Sequence, residues 1–153
     1  MNGLKIKIIY WKVGVNFKLF KNKTMKKLTP KEFALREIAP YYKDPSICAI
    51  KGAACLNLLP DGRMCVAGKN LLPEVREKNR TSSIYSIFSL YKKIQSSIFI
   101  PESVDILTVE EWGALQGMHD SIARRGDDLL NIYIKKLDLF TLEELKEYCK
   151  MLN

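Results

Sequence analysis

The chain has 153 residues, 47% hydrophobic and 27% charged, with 25 Lys+Arg against 17 Asp+Glu and a formal net charge of +8. This is one domain's length with an ordinary globular composition, which excludes a disordered chain. A single His excludes catalytic designs that need two or more histidines.

The net positive charge is confined to the first segment. Residues 1–28 carry eight lysines and no acid, and the seventeen basic residues of 29–153 match its seventeen acids. The body is therefore balanced, so no phosphate-binding surface is implied and nucleic acid is not an expected partner. The leader reads in two ways. Leu4, Ile6, Ile8 and Tyr10 alternate with Lys5 and Lys7, as in a basic arm or edge strand. Alternatively, Met25 opens MKKLTPKEF as a natural start, and the upstream residues are those that A/T-rich codons specify. Lysines interrupt every apolar run, so neither a secretory signal nor a span of about 18 apolar residues is expected. The expected compartment is the cytoplasm, with no membrane contact.

Residues 29–153 read as a single globular domain. Thr29-Pro30-Lys31-Glu32 is a capping box with Pro at the first helical position. Its helix should run to about Tyr42, burying Phe33, Ile38 and Tyr41 or Tyr42, with Pro40 ending or kinking it early. Residues 47–69 change character around Leu59-Pro60-Asp61-Gly62, which suits a type I turn. The expected β-hairpin pairs Ala54 to Leu58 with Arg63 to Val66, and Ala67-Gly68 stops it. Residues 71–80 read as a turn or short helix, and Thr81 to about Gln95 as a helix carrying Ile84, Ile87, Phe88 and Tyr91.

Thr108-Val109-Glu110-Glu111 is the second capping box, with Val109, Trp112, Leu115 and Ile122 on one face of a helix ending near Gly126. Residues 128–137 predict another helix. Thr141-Leu142-Glu143-Glu144 opens the last, with Leu142, Leu145, Cys149 and Leu152 on one stripe. The fold class expected is α+β, mostly helical, with a small hairpin.

Cys48, Cys55 and Cys65 lie close in sequence, but their spacing lacks the CxxC pairing of structural zinc sites. Buried free thiols are the expected state, with a site of these three and His119 as the alternative. His119 falls close to the apolar face of its helix. Asp120 is not expected to orient it, because adjacent helical residues point about 100° apart. Gln116 one turn earlier, or Arg124 or Arg125 one turn later, is better placed to share a ligand. Gly62 to Lys69 lacks the order of a phosphate loop, although Gly68 and Lys69 after a strand could hold an anion. No Ser sits in a GxSxG setting.

Two segments together resemble small proteins of tailed bacteriophages and prophages. That group's hairpin ends in C-A-[IV]-G-[RK], matched here by Cys65, Val66, Ala67, Gly68 and Lys69 with Ala and the branched residue transposed. Its later helix carries L-Q-x-L-H-D, matched by Leu115, Gln116, Gly117, Met118, His119 and Asp120. The resemblance covers roughly residues 29–125 and implies a phage or mobile-element origin without implying a chemistry.

The function expected is that of a non-catalytic accessory protein acting by binding in the host cytoplasm. Its partner would be a host or phage protein or a small anionic, nucleotide-like ligand, with no cofactor and no metal. The expected pocket joins Arg63, Cys65, Gly68 and Lys69 to Gln116, His119 and Asp120. The basic pair meets phosphate or carboxylate, and Gln and His supply orientation. This requires His119 and Lys69 to face one hollow. The alternatives are a virion or assembly component docking through residues 85–99, and a small Cys/His enzyme or metal protein.

Overall fold

The structure, a computed structural model, describes residues 26–152, so the leader's arm, edge-strand and start readings lie almost wholly outside the described residues. All three capping boxes form, each Thr side chain accepting from the third helical amide while the Glu accepts from the Thr amide. They start α1 (Pro30–Lys43), α5 (Val109–Ala123) and α7 (Leu142–Met151). Each box is worth of order 1 kcal/mol to its helix start. Between them lie β1 (Ile50–Lys51), β2 (Ala54–Cys55), α2 (Val66–Asn70), α3 (Pro73–Lys78), α4 (Ile84–Leu90) and, after α5, α6 (Asp127–Leu137). This is a mostly helical α+β domain whose sheet is one antiparallel pair. No described helix is long and apolar enough to cross a membrane.

Helix α5 is the axis of the domain, packed by α1, α2, α4 and α6, while α7 closes over α1. At its centre Trp112 stacks on Phe99 with ring centroids 4.6 Å apart and takes the edge of Phe33 at 5.7 Å. Such aromatic pairs contribute beyond their buried area. Phe99 is placed by the pairing of 70–72 with 98–100, where Leu72 N–H donates to Ile98 O at 2.8 Å and Ile100 N–H to Asn70 O at 2.9 Å.

Four expectations need correction. The hairpin lies upstream of its predicted position, with Ile50 opposite Cys55 and Lys51 opposite Ala54 across a tight turn where Gly52 takes φ +61°. The Leu59–Gly62 turn does form, Gly62 N–H donating to Leu59 O at 3.0 Å. Residues 63–65 beyond that turn form no strand, and from Val66 the chain is helical, because the Cys65 thiol caps α2 by accepting from Gly68 N–H at 3.2 Å. Ala67 and Gly68 are thus helical and stop no strand.

Pro40 does not end α1, which continues to Lys43. Its last turn is held by Asp44 N–H donating to Pro40 O at 3.0 Å and by the buried Tyr41, whose hydroxyl donates to Met64 O at 2.6 Å. Helix α4 is half as long as expected, because Lys92 and Lys93 both take left-handed backbone angles just after it.

Candidate functional site

One face of α5 assembles the chemistry. Gln116, His119 and Asp120 stand three and four residues apart, so their side chains meet on the helix surface. His119 is completely buried, with the Tyr41 ring edge-on to it at 4.8 Å. Its Nε2 accepts from the Ala49 amide at 3.2 Å. A nitrogen that accepts carries no proton, so the ring proton sits on Nδ1. From there it donates to Asp120 Oδ1 at 3.0 Å. Asp120 therefore does engage its neighbour, contrary to expectation. The 100° offset at the backbone is overcome by a short carboxylate that both Nδ1 and Gln116 Nε2, at 3.0 Å, draw inward.

Gln116 ties the site to the rest of the fold. Its Oε1 accepts from Ala67 N–H at 3.3 Å, and its Nε2 also donates to Cys55 Sγ at 2.7 Å. Cys55, on β2, lies 3.6 Å from His119 Nδ1. Cys48 closes the other side, its thiol pointing at His119 O from 4.0 Å. Burial, and then the nearby Asp120 charge, push the Cys48 thiol up to about 11. The Cys55 thiol is pushed up more strongly, first by its hydrogen bond with Cys65, then by burial and Asp120. Burial also acts upward on Cys65, but its contact with Cys55 and the Gly68 and Ala67 amides outweigh it, so Cys65 is the more acidic of the two. For Asp120 burial likewise acts upward, and the bonds from His119, Cys55 and Gln116 overcome it, holding the carboxyl below its ordinary range.

Asp120 opens into a cleft of about 330 Å³. Its floor is the α5 ridge Gly113–Gln116–Gly117–Asp120–Arg124, and its far wall is Ala53 to Asn57 with residues 81–85. Tyr85 and Tyr133 flank it because two glycines leave them room. A Cβ on Gly113 would meet the Tyr85 hydroxyl at 2.0 Å, and one on Gly117 would meet the Tyr133 ring at 2.4 Å. Asn57 is fixed by donating to Asn79 O at 2.6 Å and Ser82 O at 2.9 Å, which turns its Oδ1 to the Cys65 thiol at 3.3 Å. Exposed Arg124 donates to Ala53 O at the rim.

The structure thus brings Cys65, Gln116, His119 and Asp120 together and leaves Arg63 and Lys69 elsewhere. Arg63 pairs with Asp61 at 2.9 Å and donates to Cys48 O at 3.0 Å, clamping the turn to residues 45–48. Lys69 is held by Glu37 at 3.0 Å, over the Tyr41 ring. Gly68 is buried against the Asn57 backbone, so close that a Cβ would stand 1.9 Å from Asn57 O. His119 and Lys69 therefore face no common hollow: both lie against Tyr41, and neither lines the cleft. Of the later basic residues, Arg124 reaches the cleft, whereas Arg125 turns to the far side beside Tyr42 and Asp127. Sequence reasoning passed over Tyr85, Tyr133 and Asn57, and the signal for the two tyrosines was the glycine pair one turn apart on α5.

Cys55, His119 and Asp120 present donor atoms within 4.8 Å of one another, near enough to suggest a metal. An ion bound at Nδ1 would drive the ring proton to Nε2, where the Ala49 amide already points its own hydrogen. That conflict favours a hydrogen-bonded cluster over a metal centre. The same proton bars His119 from acting as base toward Cys55, since the nitrogen facing the thiol is already occupied.

No family model, curated protein or solved structure matches this chain.

Proposed function

We propose that this protein acts by binding, as a non-catalytic accessory protein of a bacteriophage or mobile element in the host cytoplasm. Its ligand would occupy the Asp120 cleft. One observation carries the reading: the Asp120 carboxylate is held ionised from behind by His119 and Gln116 while its side chain stays 30% exposed to the cleft. A carboxylate fixed in this way is an acceptor with free lone pairs, pre-organised before a ligand arrives.

Its surroundings define the ligand. Tyr85 and Tyr133 suit a planar group, and Arg124 offers donors to an anionic one. A nucleotide-like molecule meets both demands if its base carries an amino group to donate to Asp120. The cation for the phosphate is then Arg124 and neither Lys69 nor Arg63, which are engaged elsewhere. The grouping of Cys55, His119 and Asp120 gives the enzyme or metal reading its one support, and the placement of the ring proton weighs against it.

The test is calorimetric titration with AMP, CMP, GMP and UMP as probes. Binding of the amino-bearing bases, weakened at least tenfold by Asp120→Ala and unchanged by Lys69→Ala, is the expected result. Absence of binding to all four, or equal binding by Asp120→Ala, overturns the nucleotide reading. In that event, capture of a host protein that Asp120→Ala fails to retain would keep the cleft as the contact surface.

A further inference from the structure

Helix α6 buries Leu130, Ile134 and Leu137 against the domain and turns Leu129 and Ile132 outward, 49% and 57% exposed. On the same exposed side Asp128 precedes these two, and Lys135 and Lys136 follow them. Ile132 lies at the centre, four residues after Asp128 and four before Lys136, so these three stand on one ridge of the helix. Asp127 is not part of that ridge, since it turns toward Tyr42 and Arg125.

The charges of this face are not satisfied within the helix. Side chains meet along a helix at separations of three or four residues, whereas Asp128 stands seven and eight residues from the two lysines. Among the described residues, neither it nor they enter an ion pair. Helix α7 differs: its exposed lysines pair three residues back, Lys146 with Glu143 at 3.1 Å and Lys150 with Glu147 at 2.5 Å. Elsewhere, exposed Leu90 and Ile94 bracket Lys92 and Lys93, a single sign of charge that would repel a second copy of the chain. On α6 both signs are present, at opposite ends of an apolar centre.

We propose that this face binds a second copy of the chain, with two α6 helices packed antiparallel about a two-fold axis beside Ile132. Reversing a helix about its centre exchanges its ends. Asp128 of each copy then meets the Lys135–Lys136 pair of the other, while Ile132 packs against the partner's Ile132 and Leu129 covers the seam beside them. The contact is isologous and self-complementary, as a closed dimer requires. A parallel arrangement would set like charges together, so the charges fix direction as well as attraction. One helix pair is a small interface, below about 1,200 Å² in total, so the association is weak, with a Kd on the order of 100 µM. Leu129 and Tyr133 also line the recess beside Asp120, so pairing brings each copy's cleft to the edge of the seam.

The test is equilibrium sedimentation of the full chain, without added ligand, from about 10 µM to about 1 mM, a range that brackets that Kd. The weight-average mass should rise from that of one chain toward that of two. Ile132→Asp should weaken the association at least tenfold. Asp128→Lys, and separately the pair Lys135→Asp with Lys136→Asp, should each weaken it likewise by opposing like charges. Mixed in equal amounts, these two charge variants should associate with each other, because every acid again meets a base. Should a charge variant fail to fold by circular dichroism, Ile132→Asp decides together with the wild type. A chain that stays monomeric throughout overturns the proposal and leaves the face to a partner of another sequence. A dimer that Ile132→Asp leaves intact, or folded charge variants that do not associate on mixing, overturn it as well. The cleft's ligand enters none of these measurements, so failure here leaves the binding reading standing.

Discussion

The Ala49 amide donates to His119 Nε2 at 3.2 Å, joining the chain just before β1 to the middle of α5 and fixing which nitrogen of a buried ring holds the proton. Two consequences can be measured. Long-range nitrogen–proton NMR should show a protonated Nδ1 and a bare Nε2, and the opposite tautomer would contradict the site geometry. His119→Phe should keep the edge contact with Tyr41 but leave the Ala49 amide unpaired and remove a donor from Asp120. That loss should cost about 2–4 kcal/mol in denaturant unfolding, the range for a buried polar group deprived of its partner within a network.

Asp120 gives the protein a specific acid sensitivity. Its carboxyl titrates below the ordinary 3.8, so the folded state takes up that proton less readily than the unfolded chain. The stabilisation is present above the ordinary value and is lost as pH falls through the lowered folded one. Asp120→Asn should be less stable than the wild type at neutral pH, where the wild-type carboxylate is charged and held by His119 and Gln116. The two unfolding curves should draw together only as pH falls from the ordinary carboxyl range through the lower folded value, where the native carboxylate at last takes up its proton. Parallel curves would remove Asp120 from the charged network.

Two glycines that look alike in sequence should behave differently. A Cβ on Gly68 would stand 1.9 Å from the Asn57 carbonyl, backbone against backbone, so α2 must shift as a body. Gly68→Ala should lose about 3 kcal/mol, as overpacked sites do. At Gly117 the Cβ meets the ring of Tyr133, a partly exposed side chain that can swing into solvent. Gly117→Ala should cost about 1 kcal/mol or less and disturb the cleft more than the fold. Thermal melts of both variants rank them directly, and equal losses would mean that Tyr133 is as fixed as the Asn57 backbone.

Local signals in the sequence located the helices that rest on local chemistry. The Thr29, Thr108 and Thr141 boxes each began a helix because a cap needs only residues three apart. The apolar run 128–137, read from Leu129, Leu130, Ile132, Tyr133 and Leu137, does form α6, but its buried side is Leu130, Ile134 and Leu137, and Leu129 and Ile132 stand exposed. Where partners distant in sequence decide, reading the chain failed. Arg63 to Val66 read as strand ended by Ala67-Gly68, and only the Cys65 sulfur with the close approach of Gly68 to Asn57 makes α2. Half the site shared this fate. Gln116 and His119 were visible as a helical motif, whereas Lys69 was lost to Glu37 on α1, a residue 32 positions away with no local mark of its role.

That same Glu37 anchors the last prediction. Its carboxylate is 5% exposed, accepts from Asn70 Nδ2 at 2.7 Å, and pairs with Lys69 at 3.0 Å and Arg36 at 2.9 Å. Asn70 passes the linkage on, its Oδ1 accepting from the buried Ser103 hydroxyl at 2.5 Å. Charge and hydrogen bonding thus tie α1 to α2 and to the turn at 101–103. Removing the acid should be the costlier change, because Glu37→Ala leaves the buried Asn70 amide with Val66 O alone and takes the carboxylate from Lys69: about 1–3 kcal/mol is the usual loss when a buried polar group is deprived of its partner. Removing the lysine should be mild, about 1 kcal/mol or less, since Lys69 is 28% exposed and Arg36 and Asn70 still satisfy the carboxylate. Urea titrations of Glu37→Ala, Lys69→Met and the double variant separate the two cases. The double variant should be no worse than Glu37→Ala alone, because the partner that Glu37→Ala leaves stranded is then absent as well.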